Sequence, residues 1–222
     1  MAENSYHLKI DSNSYLKFLA AVVVLFVLIH CALNYYNYQI SETQWLIHQL
    51  FDLDEENNLP TWFSSFLLAN NALALYVISQ GGNEKYNKQW LGLALGFLIL
   101  SIDETAGLHE SFNTAVEFNW AIAGGVLVFI VALAYIPFLL SLDRRLAFWF
   151  VLSGTIFISG ALGIELLAAD MDEDAMPYGF ATALEEGLEM LGALLFLRAN
   201  LQQVNNFNGQ LSKNMDITID VG

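Results

Sequence analysis

Six apolar stretches, each about 20 residues long, dominate this 222-residue chain, and about 20 residues is the length of helix that crosses the hydrocarbon core of a bilayer. They run over about 14–35, 61–79, 89–108, 119–141, 146–168 and 179–199. In hydrocarbon every backbone polar group must find its partner within the protein, which leaves helices or a closed barrel, and runs this long and this apolar specify helices. The expected fold class is therefore all-α: a polytopic membrane protein with six transmembrane helices. The first stretch sits behind a polar tail and has no small-residue cleavage pattern, so it reads as a span and not as a cleavable signal peptide. Three regions result: a tail over 1–12, a six-helix domain over 13–200 and a tail over 201–222, both tails polar and loosely ordered.

Composition agrees. Charged residues make up 14% of the chain, against about 25% in a soluble domain. A single cysteine, Cys31, rules out an intramolecular disulfide. The net charge of −15 argues against nucleic acid as a partner. Membrane lipids remain, with a membrane-protein partner or a second copy of the chain as the other candidates.

The eight basic residues orient the spans. Lys9 and Lys17 precede the first span, Lys85 and Lys88 lie between the second and third, Arg144 and Arg145 between the fourth and fifth, and Arg198 and Lys213 close or follow the sixth. All fall on one side, which the positive-inside rule makes cytoplasmic, with both termini inside. Of the 23 acids, 17 map to the opposite face or to the outer ends of the spans: Glu42, Asp52, Asp54, Glu55, Glu56, Asp103, Glu104, Glu110, Glu117, Glu165, Asp170, Asp172, Glu173, Asp174, Glu185, Glu186 and Glu189. A solvated acidic surface accounts for the loop acids equally well.

The segment "LSIDETAGLHE" over 100–110 places Asp103 about 20 Å along the third span, in the outer half of the apolar core. Glu185, Glu186 and Glu189 enter the sixth span from outside, Glu165 lies near the outer end of the fifth, and His30 near the outer end of the first. Four spans thus bring ionisable groups to one depth, which is a functional-site signal inside a membrane. Asp103 and Glu110, seven apart, share a helix face, with Glu117 following if the third span continues, and Glu185 and Glu186 are each spaced to meet Glu189. Such acids are protonated, face an aqueous cavity, or hold a metal. The histidines His30 and His109 at that level favour a metal, with His30, Asp103, Glu104, His109, Glu110, Glu165, Glu185, Glu186 and Glu189 as candidate ligands. Carboxylates with imidazoles suit Zn, Mn or Fe, and carboxylates alone suit Ca or Mg, so calcium and zinc lead. The Glu-x-x-His pair of di-iron bundles is missing, because Glu104 and His109 are five apart. A histidine inside a bundle also serves simply as a hydrogen-bond partner.

A second motif, "FDLDEENNLPTW" over 51–62, packs Asp52, Asp54, Glu56 and Asn58 into seven residues, a donor set for a hard cation such as calcium. It lacks the EF-hand frame. The alternative is a helix N-terminus, with Asn58 or Thr61 as cap, Pro60 in the first turn and Trp62 as an interfacial anchor. The motif resembles the calcium loop of the alkaline ceramidases and their superfamily of membrane hydrolases, which carry an acidic Glu-Asn segment followed by Thr-Trp and a helix. That resemblance covers roughly 20 residues and implies a calcium site and lipid hydrolysis. The family's last helix carries a His-x-x-x-His pair, whereas this chain has Glu185-Glu186 and Glu189 there. The whole pattern also resembles bacterial inner-membrane proteins with no assigned reaction, which implies the plasma membrane with the acidic loops outside.

Four functions follow as expectations. The first is an integral membrane protein holding a divalent cation at an acidic outer-leaflet site. The second is a metal-dependent hydrolase of a lipid-like substrate, with Asp103 and Glu104 as candidate catalytic carboxylates. The third is a cation- or proton-coupled transporter, which the apolar inner halves of the spans disfavour. The fourth is a structural or assembly subunit.

Overall fold

The computed structural model describes residues 4–81, 84–108, 120–207 and 214–221. Six long helices appear among them: α1 (Ser12–Gln39), α3 (Leu59–Gly81), α4 (Asn87–Ala106), α5 (Trp120–Leu139), α6 (Arg144–Ala168) and α7 (Met176–Phe207). A short helix, α2 (Trp45–Phe51), lies between α1 and α3. Each of the six expected stretches overlaps one of the six long helices. Outside this helical body the tails, expected to trail loosely, pair as antiparallel strands β1 (Asn4–Asp11) and β2 (Asn214–Val221), with Tyr6 opposite Ile219 and Leu8 opposite Ile217.

Local chemistry sets the helix ends. The Asp11 carboxylate accepts from the Ser14 N–H at 3.0 Å and caps α1, and Asp143 accepts from Arg145 and Leu146 and caps α6. Asn58 caps α3, its Oδ1 accepting from the Thr61 N–H at 3.1 Å. Gly107, at φ 56°, ends α4 in the left-handed conformation that glycine adopts without strain, and its N–H bonds to the Asp103 carbonyl. The seven-residue step from Asp103 to Glu110 therefore crosses the end of α4, and Glu110 and Glu117 lie outside the described residues.

Consecutive long helices run antiparallel. Tyr15 meets Asn70 and Phe26 meets Phe63 between α1 and α3; Ser65 meets Ser101 between α3 and α4. The Tyr135 hydroxyl donates to the Gln89 carbonyl between α4 and α5, and Phe150 stacks on Phe196 between α6 and α7. One end of the bundle is held by aromatic rings: Trp90 stands edge-on to Phe138 at 4.9 Å and to Phe150 at 5.7 Å. Lys88, Arg144 and Arg198 belong to this end, Arg198 lying over the Trp149 ring. Most of the acids among the described residues gather at the other, Asp11 and Asp143 being helix caps at this one.

Among the described residues four helices, α1, α3, α5 and α6, are long and apolar enough to cross a membrane. The remaining two, α4 and α7, carry the acids Asp103, Glu104, Glu185, Glu186 and Glu189. On α5 the side chains of Val126, Leu127, Phe129 and Ile130 are each 58–64% exposed, an apolar surface of the kind that meets lipid or another protein. Inside, one polar group bonds helix to helix at the centre of the bundle. The Asn71 amide, completely buried on α3, donates to the Leu67 and Ala193 carbonyls and accepts from Asn200 Nδ2 at 3.0 Å. Asn70, its neighbour in the sequence, accepts instead from the Tyr15 hydroxyl.

Candidate functional site

The acidic end is built on Asp52, the residue that ends α2. Its N–H bonds to the His48 carbonyl, which turns the chain so that its carboxylate faces inward. Oδ1 lies 3.1 Å from His30 Nδ1 and accepts from the Asp54 N–H, while Oδ2 lies 2.9 Å from His48 Nδ1. Burial alone pushes the Asp52 carboxyl up, but the His30 contact, the Asp54 N–H and the charges of both histidines outweigh it and hold Asp52 below the usual carboxylate range. Asp54 goes the other way: withdrawal of its carboxyl from water, and then the neighbouring Asp52 charge, hold it above that range, against hydrogen bonds from Tyr178 and Thr182.

His30 ties three elements together. Its Nε2 is 2.9 Å from the Gly179 carbonyl on α7, and its Nδ1 accepts from the Leu53 N–H at 2.9 Å. One turn further along α1, Asn34 Nδ2 donates to the Met176 carbonyl at 3.0 Å. A Cβ on residue 179 would stand 2.6 Å from the Asn34 side chain, so glycine is what lets α7 come this close. Around these groups lies a pocket of about 270 Å³, walled by His30, His48, Asp52, Asp54, Tyr178 and, at its exposed rim, Glu173.

The loop residues expected to bind a cation are therefore largely engaged within the protein. Asn58 caps α3 and donates to the Asp52 carbonyl at 2.5 Å, and Thr61 bonds the Glu55 carbonyl. The Glu56 carboxylate reaches away to Gly107 and occupies the space a Cβ would fill there. His30, grouped by depth with the intramembrane acids, belongs to the Asp52 pocket instead.

A second group of acids lies deeper. Glu104 on α4 and Glu185 on α7 lie within charge range of both Glu186 and Glu189 on α7, and Asp103 and Glu165 lie within range of Glu189. Asp54 also acts on Glu186, so this group adjoins the pocket. Two devices bring the helices together. Ser101, one turn before Glu104, exchanges hydrogen bonds with Ser65 of α3 at 2.7–3.0 Å. On α6, the π-helical turns Ser159–Ile164 run directly into Glu165, and Gly160 presses on α7: a Cβ there would meet the Glu185 carbonyl at 2.6 Å and Glu189 Cγ at 3.0 Å. Close packing also holds at Gly92, against Tyr135, but not at Gly96 or Gly163.

Of the expected ligands, the structure brings together Asp103, Glu104, Glu165, Glu185, Glu186 and Glu189, and separately His30 with Asp52. His109 and Glu110 lie outside the described residues. Among the described residues no three His, Cys, Asp or Glu side chains converge as a metal cage. Sequence reasoning missed Asn34, Tyr178, Gly179 and Thr182. The spacing of His30 and Asn34, one turn apart in an otherwise apolar run, was the available signal for the first of these.

Residues 16–204 match a family described as "Domain of unknown function (DUF8692)". No curated protein and no solved structure matches the chain.

Proposed function

The chain belongs to the DUF8692 family, a membership that brings no activity with it, and we propose that it is a six-span membrane protein whose acid cluster takes up a divalent cation. In this reading all six long helices cross the bilayer, both termini are cytoplasmic and the acidic end faces outward. The antiparallel sequence of helices and the gathering of Lys88, Arg144 and Arg198 at one end support it.

The observation that carries the cation reading is the gathering of acids from three helices: Gly160 brings α6 against Glu185 and Glu189 of α7, with Glu104 of α4 near Glu186 and Glu189, and Asp103 and Glu165 near Glu189. Carboxylates crowded in a medium poorer than water in screening repel each other, and a bound cation relieves that repulsion. With His30 committed to Gly179, Leu53 and Asp52, the donors assembled here are oxygens, which favours calcium or magnesium over zinc. Closing the cage requires the carboxylates to draw together on the ion.

Elemental analysis of the detergent-purified protein tests this. The expected result is a stoichiometric hard cation that Glu186→Gln removes, and whose chelation lowers the melting temperature. A metal-free protein with an unchanged melting temperature in chelator refutes it. That outcome is the one expected of a proton-handling protein, a second reading favoured by the string His48, Asp52, His30 and Asp54 leading from the pocket to Glu186.

A further inference from the structure

Helix α2 is inside out for a helix on a water-exposed surface. Trp45, Leu46, Ile47 and Leu50 are 74, 57, 41 and 38% exposed. Its one titratable side chain, His48, turns inward to Asp52, and Phe51 packs against the Phe26 ring. At 3.6 residues per turn the four exposed apolar positions cover an arc of about 200°. Only Gln49 interrupts it, and Gln49 reaches back to Glu55.

We propose that α2 lies in the headgroup layer of the bilayer at the acidic end of the bundle, with Trp45, Leu46 and Leu50 at the boundary of the acyl chains. The exposed apolar face of α2 continues into that of its flanking helices, through Ile40 at the end of α1 and Leu59 and Trp62 at the start of α3. Trp62 stacks on Phe66, and Tyr35, Tyr36 and Tyr38 are exposed nearby on α1, so tryptophan and tyrosine ring this level as they do at membrane interfaces. A second copy of the chain is a poorer occupant, because it would bring Glu42, Glu55, Glu173 and Asp174 of two chains together. No Lys or Arg occurs between residues 18 and 84, so attraction to anionic headgroups contributes nothing and apolar burial drives the contact. His48 then stands at headgroup level, and the Asp52 pocket opens at the interface. The proposal rests on the membrane-spanning reading of α1 and α3 and is independent of the cation, so its failure and that of the cation reading are separately visible.

The test uses the full chain in lipid nanodiscs, with the fluorescence of Trp45 taken as the difference between the wild type and Trp45→Phe. Emission from Trp45 is expected to be lost more in lipids brominated near the glycerol end of the acyl chain than in lipids brominated near the methyl end. Neither anionic lipid nor added salt should change that loss. Trp45 quenched by acrylamide from water but untouched by brominated lipid overturns the proposal. So does a Leu46→Cys crosslink joining two chains in a Cys31→Ser background. Should Trp45→Phe not purify, a spin label on the same Leu46→Cys reads the depth, and a label in bulk water overturns it equally.

Discussion

His30 Nδ1 stands 3.1 Å from Asp52 Oδ1, and the same ring nitrogen accepts the Leu53 N–H at 2.9 Å. These partners ask opposite things of the ring. The Leu53 N–H needs a lone pair on Nδ1, and the Asp52 carboxylate needs a proton there. With Nε2–H donating to the Gly179 carbonyl, a neutral ring serves Gly179 and Leu53, and a charged ring serves Gly179 and Asp52. The fastening of α1 to α7 through Nε2 is the same in both states. Only the attachment of the 52–54 turn changes hands.

Asp52→Asn is expected to lower stability at neutral pH by about 1–3 kcal/mol, the range for removing a charged partner from buried donors. The sign follows from the carboxyl being held below its ordinary value of 3.8. Such a group stabilises the fold above that value and loses its contribution as pH falls through its lowered folded value. Melting curves in detergent should separate variant and wild type at pH 7 and merge in acid. A constant gap at all pH would remove the carboxylate's charge from the account.

Asp54→Asn is expected to do the reverse. Its carboxyl is held above 3.8, first by withdrawal from water and then by the Asp52 charge, so the fold disfavours the ionised form. The penalty is absent below the ordinary value and is complete once pH has risen through the raised one. The variant keeps an acceptor for Thr182 and should melt at or above the wild-type temperature at pH 7, with the difference vanishing at low pH. A clear loss of stability at pH 7 would contradict the assignment.

Gly107→Ala is expected to cost about 1–2 kcal/mol from left-handed strain at the end of α4, and to displace the Glu56 carboxylate. Gly107→Asn tolerates that backbone conformation better, so it should lose less stability while still dislodging Glu56. Equal losses for the two variants would mean that Glu56 contact, and not backbone strain, sets the cost.

Much of the bundle was legible because apolar runs of membrane length leave a chain few choices. Each of the six expected stretches overlaps a helix, and four of those helices are long and apolar enough to cross a membrane. What hydropathy could not supply was angle. It fixes how deep a residue lies along a helix, and by that coordinate His30 and Glu186 belong together. It does not say which way each faces, and the structure turns His30 to Asp52 and Glu186 to Glu104. Helix α2 escaped because seven residues with no polar stripe carry no amphipathic signal for water, being apolar on the outside. The π turns at Ser159–Ile164 escaped for another reason: a glycine such as Gly160 signals close approach but not a change in hydrogen-bond register.

Gly160 gives the sharpest link between packing and the acid cluster. A methyl group there would stand 2.6 Å from the Glu185 carbonyl, a backbone atom that cannot swing aside, so α6 and α7 must part. Overpacking of this kind costs about 1–3 kcal/mol. Glu165 on α6 would be drawn away from Glu185 and Glu189 on α7. Gly154 is the control, since a Cβ there meets nothing within 4 Å, and alanine on that turn should leave stability unchanged or slightly raised. Gly160→Ala is therefore expected to lower the melting temperature and, if the cluster holds a cation, to reduce the metal retained through purification, while Gly154→Ala does neither. A Gly160→Ala protein that melts lower yet retains its metal in full would show that the cation sits between α4 and α7 without help from Glu165.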